Sequence, residues 1–216
     1  MPFDFLRRGK QPKGTGQPAS PATPGGASGH GVEFDRLTEE WRLTGVMHIE
    51  GRLSDALNRR EASALSGVSW APIDGSADFS PVPGLRSVDP YDLIIVMAGP
   101  SSLPALTEEE RAAHKVHKIP YDVALEAPPF RVVGTVLLYP GSEPERLLDR
   151  ATEMFVPVTD AVALLGDKEL LRETDVILVN RFYLRGVEQI DKRTRLRVKP
   201  LPGQPLGGIS WQDKAR

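Results

Sequence analysis

One pair of residues in the sequence has metal-ligand spacing, His114-x-x-His117. Residues three apart lie on the same face of a helix, so two imidazoles there could share an ion. A zinc site needs three or four ligands, and the chain has four histidines and no cysteine to complete one. Both histidines follow a helix-start signal at Thr107 and Glu110, and positive side chains favour a helix C-terminus. We therefore expect a helix-end role and no metal site.

Carboxylates and serines could carry acid–base or nucleophilic chemistry. Asp55 and Asp149 occur in two similar stretches, Arg-Leu-x-Asp, but general acid–base catalysis needs a cleft that shifts a pKa. Ser101 and Ser102 follow Gly-Pro without a G-x-S-x-G elbow. The sequence also contains no phosphate-binding loop and no dinucleotide fingerprint. We expect no catalytic residues, no metal and no cofactor, with an enzyme of unknown class as the second alternative.

Arg181 and Arg185 could bind an anion, because guanidinium groups match the geometry of phosphate. Their spacing, Arg-x-x-x-Arg, resembles the arginine pair with which PilZ-type domains hold a cyclic dinucleotide. That resemblance implies a β-barrel-like module that senses a nucleotide or another anionic small molecule. The acidic or amide residue, small residue and glycine that follow in the family motif are not found downstream. Ligand sensing is therefore the first alternative function.

A second basic group lies in residues 193–199, where positive side chains alternate with Thr194, Leu196 and Val198. On a strand these basic residues share one face, which could contact an anion or a partner; they are Arg193, Arg195, Arg197 and Lys199. No aromatic residue is interleaved to stack on bases, so nucleic acid is not expected as a partner. The simpler interpretation is a solvated edge strand whose charges discourage aggregation.

The first residues combine apolar and basic side chains: Phe3, Phe5, Leu6, Arg7 and Arg8. Residues 11–31 are rich in Gly, Pro, Ala and Ser and cannot fill a core, so residues 1–31 are predicted to be a disordered tail. A tethered apolar and basic peptide indicates docking on a protein partner, or alternatively peripheral contact with a membrane surface. A frayed terminus is the other interpretation.

Composition indicates a cytoplasmic protein. The chain has 216 residues, no cysteine and a net charge of −2, which fits a reducing compartment. The N-terminus lacks the apolar region of a secretory signal, and the longest apolar run, residues 93–98, is too short to span a membrane. Residues 33–190 carry a net charge of about −10, so a nucleic acid would not bind the whole surface.

The order of patterned segments predicts a β-rich protein. Strands are expected within 41–49, 68–73, 91–98, 121–125, 131–139, 155–159 and 176–179, and helices within 52–57, 107–118 and after Ser142. Four signatures recur in the same order, about 83–94 residues apart. They are Arg42-x-x-Gly45 and Arg131-x-x-Gly134, Arg52-Leu-x-Asp55 and Arg146-Leu-x-Asp149, Trp70-Ala-Pro and Phe155-Val-Pro, and Asp92-Leu-Ile-Ile-Val and Asp175-Val-Ile-Leu-Val. These matches predict an internal duplication.

The sequence therefore predicts an α+β, β-dominated fold made of two tandem β-α-β-β units that pack as a pseudo-two-fold pair. The expected divisions are a tail at 1–31, a first unit at 33–100, a linking helix at 101–118, a second unit at 119–199 and a disordered tail at 200–216. The expected function is a non-enzymatic interaction or scaffold protein of the bacterial cytoplasm with a tethered N-terminal docking peptide and an unidentified protein partner.

Overall fold

The computed structural model describes residues 29–99, 102, 118–149, 153–191 and 194, and only the backbone of residues 171–175. Across this part of the chain, eleven strands form one antiparallel sheet. They are β1 (His30–Leu37), β2 (Trp41–Ile49), β3 (Ser63–Pro72), β4 (Ser80–Pro81), β5 (Ser87–Val88), β6 (Ile95–Ala98), β7 (Ile119–Ala127), β8 (Phe130–Leu138), β9 (Phe155–Leu165), β10 (Lys168–Asn180) and β11 (Gly186–Gln189). The strand order is β11-β7-β8-β9-β10-β6-β1-β2-β3-β4, and β5 also pairs with β3. The predicted β-dominated fold is confirmed.

The helices in the described residues are short. The α-helix α1 (Leu53–Asn58) lies between β2 and β3, and it buries Leu53, Ala56 and Leu57 as their i, i+3, i+4 spacing predicts. Helices of the 3-10 type follow at Pro90–Asp92, Pro144–Leu148 and Arg181–Tyr183. The first of these precedes the short strand β6, and the other two follow the long strands β8 and β10.

The sheet buries apolar side chains on both faces, in two main clusters. Core A is built on β7, β8, β9 and the ends of β6 and β10, and includes Tyr121, Val123, Leu125, Phe130, Val132, Val136, Val156, Val158, Ile177 and Val179. Core B is built on β1, β2, β3 and α1, and includes Val32, Phe34, Leu43, Met47, Leu57, Leu65, Val68, Val96, Phe155 and Leu178. Each half of the sheet therefore has its own core.

The central strands β6 and β10 contribute to both cores. On β6, Ile95 points into core A and the next residue, Val96, points into core B. On β10, Ile177 and Leu178 alternate in the same way. Successive side chains of a strand point to opposite faces, so the two cores lie on opposite sides of one continuous sheet.

The side chain of Asn180 joins separate segments near the centre of the sheet by hydrogen bonds. Its side chain is fully buried, and its Nδ2 donates to the carbonyl oxygens of Leu93, at 2.7 Å, and Pro90, at 3.3 Å. Its Oδ1 accepts from the backbone N–H of Phe182 at 3.0 Å. Both polar atoms of the side chain thus have partners, and the bonds to residues 90 and 93 join the end of β10 to the segment before β6, which is far away in sequence.

The meanders β1–β2–β3 and β7–β8–β9 share a specific irregularity. The register shifts at Gly45 in the first and at Gly134 in the second. Opposite each glycine, the neighbouring strand has a residue with left-handed φ, Gly67 at 59° and Asp160 at 46°. Such bulges bend a strand and increase its twist, which helps each meander to curve over its core.

The fourth strand, however, is placed differently in the two halves. β6 pairs with β1, the first strand of its meander, whereas β10 pairs with β9, the third strand of its meander. The two halves also share one sheet through the pairing of β6 with β10. The predicted duplication of a four-element unit and its pseudo-two-fold packing are therefore not confirmed.

Several local predictions need correction. The strand expected at 91–98 is shorter, because Pro90–Asp92 forms a 3-10 helix and β6 begins at Ile95. Ser142 is not a helix cap, since Glu143 occupies the N-cap position of the next 3-10 helix without a side-chain bond. The tail predicted to extend to residue 31 is also too long, because His30 and Gly31 already pair in β1.

Some predicted features lie outside the described residues. They are the N-terminal peptide, the linker up to residue 28, most of the linking helix with His114 and His117, the basic residues Arg193, Arg195, Arg197 and Lys199, and the tail at 200–216. Thr194 is described, and its N–H donates to Oδ1 of Asp191 at 3.0 Å.

Candidate functional site

Aromatic side chains from separate strands meet at one corner of the sheet. Trp41 begins β2 and Trp70 lies near the end of β3, and their rings stack with centroids 4.8 Å apart. Phe79 immediately precedes β4, and the guanidinium of Arg42 lies 5.8 Å from its ring centroid. We call Trp41, Arg42, Trp70 and Phe79 the tryptophan corner.

Backbone hydrogen bonds hold this corner in place. The β1–β2 turn is closed by Thr38, whose N–H donates to the carbonyl oxygen of Trp41 at 2.9 Å and whose Oγ1 accepts from the N–H of Trp41 at 3.1 Å. Beyond the end of β3, the N–H of Ile73 donates to the carbonyl oxygen of Glu40 at 3.0 Å. The aromatic residues therefore project from ordered backbone, so a partner would have little backbone to order on binding.

The tryptophan corner is open to solvent and charged. Trp70 is 38% exposed and Phe79 is 44% exposed. Nε of Arg42 donates to both carboxylate oxygens of Asp35, at 2.9 and 3.0 Å. These hydrogen bonds raise the pKa of Arg42, and the buried part of its side chain opposes them only in part. Because consecutive residues of a strand point to opposite faces, the Trp41–Trp70 stack lies on one face of the corner, and the Phe79 ring with the guanidinium of Arg42 lies on the other.

The outer edge of β3 is already covered by the segment that follows it. The N–H of Val82 donates to the carbonyl oxygen of Val68, and the N–H of Leu65 donates to that of Arg86, both at 2.8 Å. Short edge strands that contain proline, such as β4, also discourage pairing with another chain. Recognition at this end of the sheet would therefore use side chains instead of strand addition.

Between β3 and residues 81–86 lies a groove of about 560 Å³. Its walls include Leu65, Val68 and Leu85, which also belong to core B or pack against it. Arg86 lies at its rim and is exposed. The groove is therefore a surface depression with apolar side chains of core B among its walls.

Arg36 is a charged residue whose side chain lies in the interior of the protein. It is the next-to-last residue of β1, is 0% exposed, and projects to the same face as Phe34. Within the described part of the chain, none of its three guanidinium nitrogens has a hydrogen-bond partner. Its guanidinium carbon lies 3.7 Å from the centroid of the Phe34 ring. The contact with that ring is thus the favourable polar interaction that we observe for this cation.

Burying the charge of Arg36 lowers the stability of the folded protein. Burial lowers the pKa of Arg36 to about 9, so the guanidinium is still protonated at neutral pH. A cation–π contact contributes about 2 kcal/mol when desolvated, whereas removing an ion from water costs several kcal/mol. The ring of Phe34 therefore offsets only part of the cost.

The two arginines predicted as an anion-binding pair have different surroundings. Arg181 is half-buried at the end of β10, and its Nη1 donates to the carbonyl oxygen of Asp149 at 3.1 Å. Burial lowers the pKa of Arg181, although the carboxylates of Glu153 and Asp149 act in the opposite direction. Arg185 is exposed, and its N–H donates to the carbonyl oxygen of Glu126. Anion binding by this pair stays a prediction.

A second aromatic group lies near the end of β10. The rings of Tyr91 and Phe182 are 5.5 Å apart, and the guanidinium of Arg60 lies 5.7 Å from the Phe182 centroid. The hydroxyl of Tyr183 donates to the carbonyl oxygen of Tyr91 at 3.1 Å. Burial raises the pKa of Tyr183, and nearby carboxylates add to the effect. These contacts mainly fix the chain between β10 and β11.

Comparison with known proteins does not extend this description. No family model matches the chain, and no curated protein and no solved structure is similar to it. In the described ranges, no group of three or more His, Cys, Asp or Glu side chains is placed to hold a metal ion. No helix there is long and apolar enough to cross a membrane.

The sequence did not identify the tryptophan corner or Arg36. Trp41, Trp70 and Phe79 are distant in sequence, and only the pairing of β3 with β2 and with β4 brings them to one corner. Arg36 precedes the first strand that the sequence patterns predicted, at 41–49. The signal in the sequence was the alternation of Val32, Phe34 and Arg36, which places the charge on the same strand face as two apolar residues.

Proposed function

We propose that the protein is a non-enzymatic interaction or scaffold protein of the bacterial cytoplasm whose tryptophan corner binds a protein partner. The supporting observation is the exposure of Trp70 on one face of the corner and of Phe79, beside Arg42, on the other, both on ordered backbone. Tryptophan, tyrosine and arginine are the residues most enriched among those that dominate binding energy at protein interfaces. A partner that covers these rings gains apolar contact without ordering a loop.

The charges around the corner define the chemistry of that partner. Glu39 and Glu40 are exposed in the β1–β2 turn next to Trp41, and residues 33–190 carry an overall negative charge. Because the charge of Arg42 is balanced by Asp35, the exposed carboxylates of the turn give the corner a negative character. The partner should therefore present an apolar or aromatic side chain flanked by lysine or arginine.

The double substitution Trp70→Ser and Phe79→Ser tests the corner. Both side chains are partly exposed, so the variant should remain folded while its partner affinity falls at least about tenfold. The measurement is quantitative affinity purification followed by titration of the purified partner. The matched control is Leu137→Ser with Tyr139→Ser, which removes exposed apolar surface from a different strand. Equal loss with both variants, or no loss with the first, would contradict the assignment.

The N-terminal peptide is proposed as a second docking element on a tether. A variant that lacks residues 2–28 keeps β1 intact, since the strand begins at His30. Its melting temperature should match that of the full chain, while proteins recovered through the peptide should be lost. Replacing Phe3, Phe5 and Leu6 with serine in the full chain should have the same effect on recovery. If recovery is unchanged in both variants, the peptide has no docking role.

A further inference from the structure

The strand β11 lies at one end of the sheet, and in the described part of the chain it pairs only with β7. The N–H of Ile190 donates to the carbonyl oxygen of Asp122 at 3.0 Å. In an antiparallel pair the bonded residues alternate, so residues 186, 188 and 190 direct their backbone groups towards β7. The backbone groups of Val187 and Gln189 therefore point away from β7, as at a sheet edge that can pair with another strand.

The chain turns directly after this strand. The N–H of Thr194 donates to Oδ1 of Asp191 at 3.0 Å, and aspartate is favoured at the first position of a β-turn. Four-residue loops built around such a turn are common in β-hairpins. With residues 191–194 as the loop, the following residues would return antiparallel to β11, on the side that β7 does not occupy.

The sequence after the turn suits a strand at this edge. Residues 195–199 lie outside the described residues and read Arg-Leu-Arg-Val-Lys, in which basic and apolar side chains alternate. The loop sets a register in which Leu196 is opposite Gln189 and Val198 is opposite Val187. Because Val187 packs against core A, the two apolar residues would lie on the same face and extend that core.

The other face of the same register brings opposite charges together. Arg197 would lie opposite Glu188, whose carboxylate is 3.7 Å from Nη2 of Arg131. Nε of Arg131 lies 3.2 Å from the carboxylate of Glu126. Arg197 would thus add a second guanidinium to a group with two carboxylates, and pairs of opposite charge across strands stabilise a sheet. A shift of one residue would instead place the apolar residues beside these carboxylates.

We propose that residues 195–199 form the outermost strand of the sheet by pairing antiparallel with the outer edge of β11. The basic residues Arg195, Arg197 and Lys199 then lie on the face that carries Glu188 and bind the protein's own acidic surface. The strand also covers an edge that could add a strand from another molecule. A partner at this end must therefore use side chains, as at the edge of β3. This proposal is independent of the tryptophan corner.

An engineered disulfide tests the register, because the chain has no cysteine of its own. In the proposed register Glu188 and Arg197 are a non-hydrogen-bonded pair, with Cα atoms about 4.5 Å apart, and a disulfide can span this distance. Under a mild oxidant, Glu188→Cys with Arg197→Cys should form a disulfide within one molecule. Mass spectrometry and non-reducing electrophoresis at low protein concentration measure its formation.

Two matched pairs serve as controls. In Glu188→Cys with Leu196→Cys the thiols would lie on opposite faces, and in Glu188→Cys with Lys199→Cys they would be two residues out of register. Both should oxidise at least about tenfold more slowly, since the geometry of a disulfide is specific. The three loops have similar lengths, so a chain without a fixed position would oxidise at similar rates in all variants. Similar rates would overturn the proposal, and so would a disulfide between two molecules, because a second copy would then supply the strand.

Amide hydrogen exchange provides a second measurement that involves no cysteine. In a chain that ends at residue 194, the amides of Val187 and Gln189 should exchange at least about tenfold faster than in the full chain, because they lose their acceptors. The amides of Glu188 and Ile190 are directed towards β7 and serve as the internal control. The proposal fails if the deletion leaves exchange at Val187 and Gln189 unchanged.

Discussion

Replacement of Arg36 by methionine is expected to raise the free energy of unfolding by about 1–4 kcal/mol. The wild-type side chain keeps a positive charge in core B, where the Phe34 ring is the one favourable polar contact that the described residues give it. Methionine fills a similar volume, is flexible enough to fit an irregular space and carries no charge to desolvate.

Chemical denaturation of the wild type, Arg36→Met and Arg86→Met measures this effect. Arg86 is exposed, so its replacement should change stability by no more than about 0.5 kcal/mol. A loss of stability in Arg36→Met would contradict the expectation, because it would mean that the guanidinium has a strong acceptor in the folded protein.

The pH dependence gives an independent check on the same charge. The pKa of Arg36 is lowered to about 9 in the folded protein, whereas in the unfolded chain it has its ordinary, higher value. Below pH 9 both states are protonated and the full cost of burial applies. Above pH 9 the folded state releases the proton first, so stability rises with pH. By pH 10.5 the wild type should gain about 2 kcal/mol relative to Arg36→Met.

Gly134→Ala is expected to lower the free energy of unfolding by about 3 kcal/mol. A Cβ at this position would lie 2.7 Å from Cγ1 of Val158, 2.8 Å from the carbonyl oxygen of Thr159 and 3.0 Å from the Cα of Ala161. Two of these three atoms are backbone atoms of β9, so a rotamer change cannot relieve the contact. The central ladder between β8 and β9 must shift instead, and the register at the bulge constrains it.

Thermal and chemical unfolding of Gly134→Ala measure this cost against a matched glycine. A Cβ added at Gly84 would meet no atom within 4 Å, and the φ of Gly84 is not left-handed, so Gly84→Ala should be neutral or slightly stabilising. If both alanine variants had equal stability, close packing of β9 against Gly134 would not be the reason for glycine at this position.

Local patterns predicted much of the fold. The spacing of Leu53, Ala56 and Leu57 identified α1, and apolar runs identified most of β2, β8 and the end of β10. These segments were predictable because α1 has helical spacing and the strands are apolar runs, and both patterns are visible within the segment itself.

The strands that the sequence patterns did not predict contain residues that interrupt the expected apolar pattern. β1 was not predicted as a full strand, because Arg36 places a charge where the buried face requires an apolar residue. The first half of β10, from Lys168, is largely polar, since it lies at the end of a long hairpin with β9. Pro128 and Pro129 form the turn between the paired residues Ala127 and Phe130, and β7 extends two residues beyond the predicted 121–125 at each end.

The candidate site could not be predicted from the sequence for a related reason. The contact between Trp41 and Trp70 depends on the register of β2 with β3, which includes a bulge at Gly45. A shift of one residue would send one of the rings to the opposite face. Register is a property of the assembled sheet, and a single sequence does not specify it where a bulge intervenes.

The alternation of β6 and β10 between the two cores has a practical consequence for fragments of this protein. A polypeptide ending at residue 99 would expose Ile95 and lack Phe155 and Leu178, while one beginning at residue 118 would lose the strand that pairs with β10. Neither fragment should be soluble by itself, but the two expressed together supply each other's missing strand. The chain is thus suited to a split reporter, in which two incomplete polypeptides recover a native structure only when they meet.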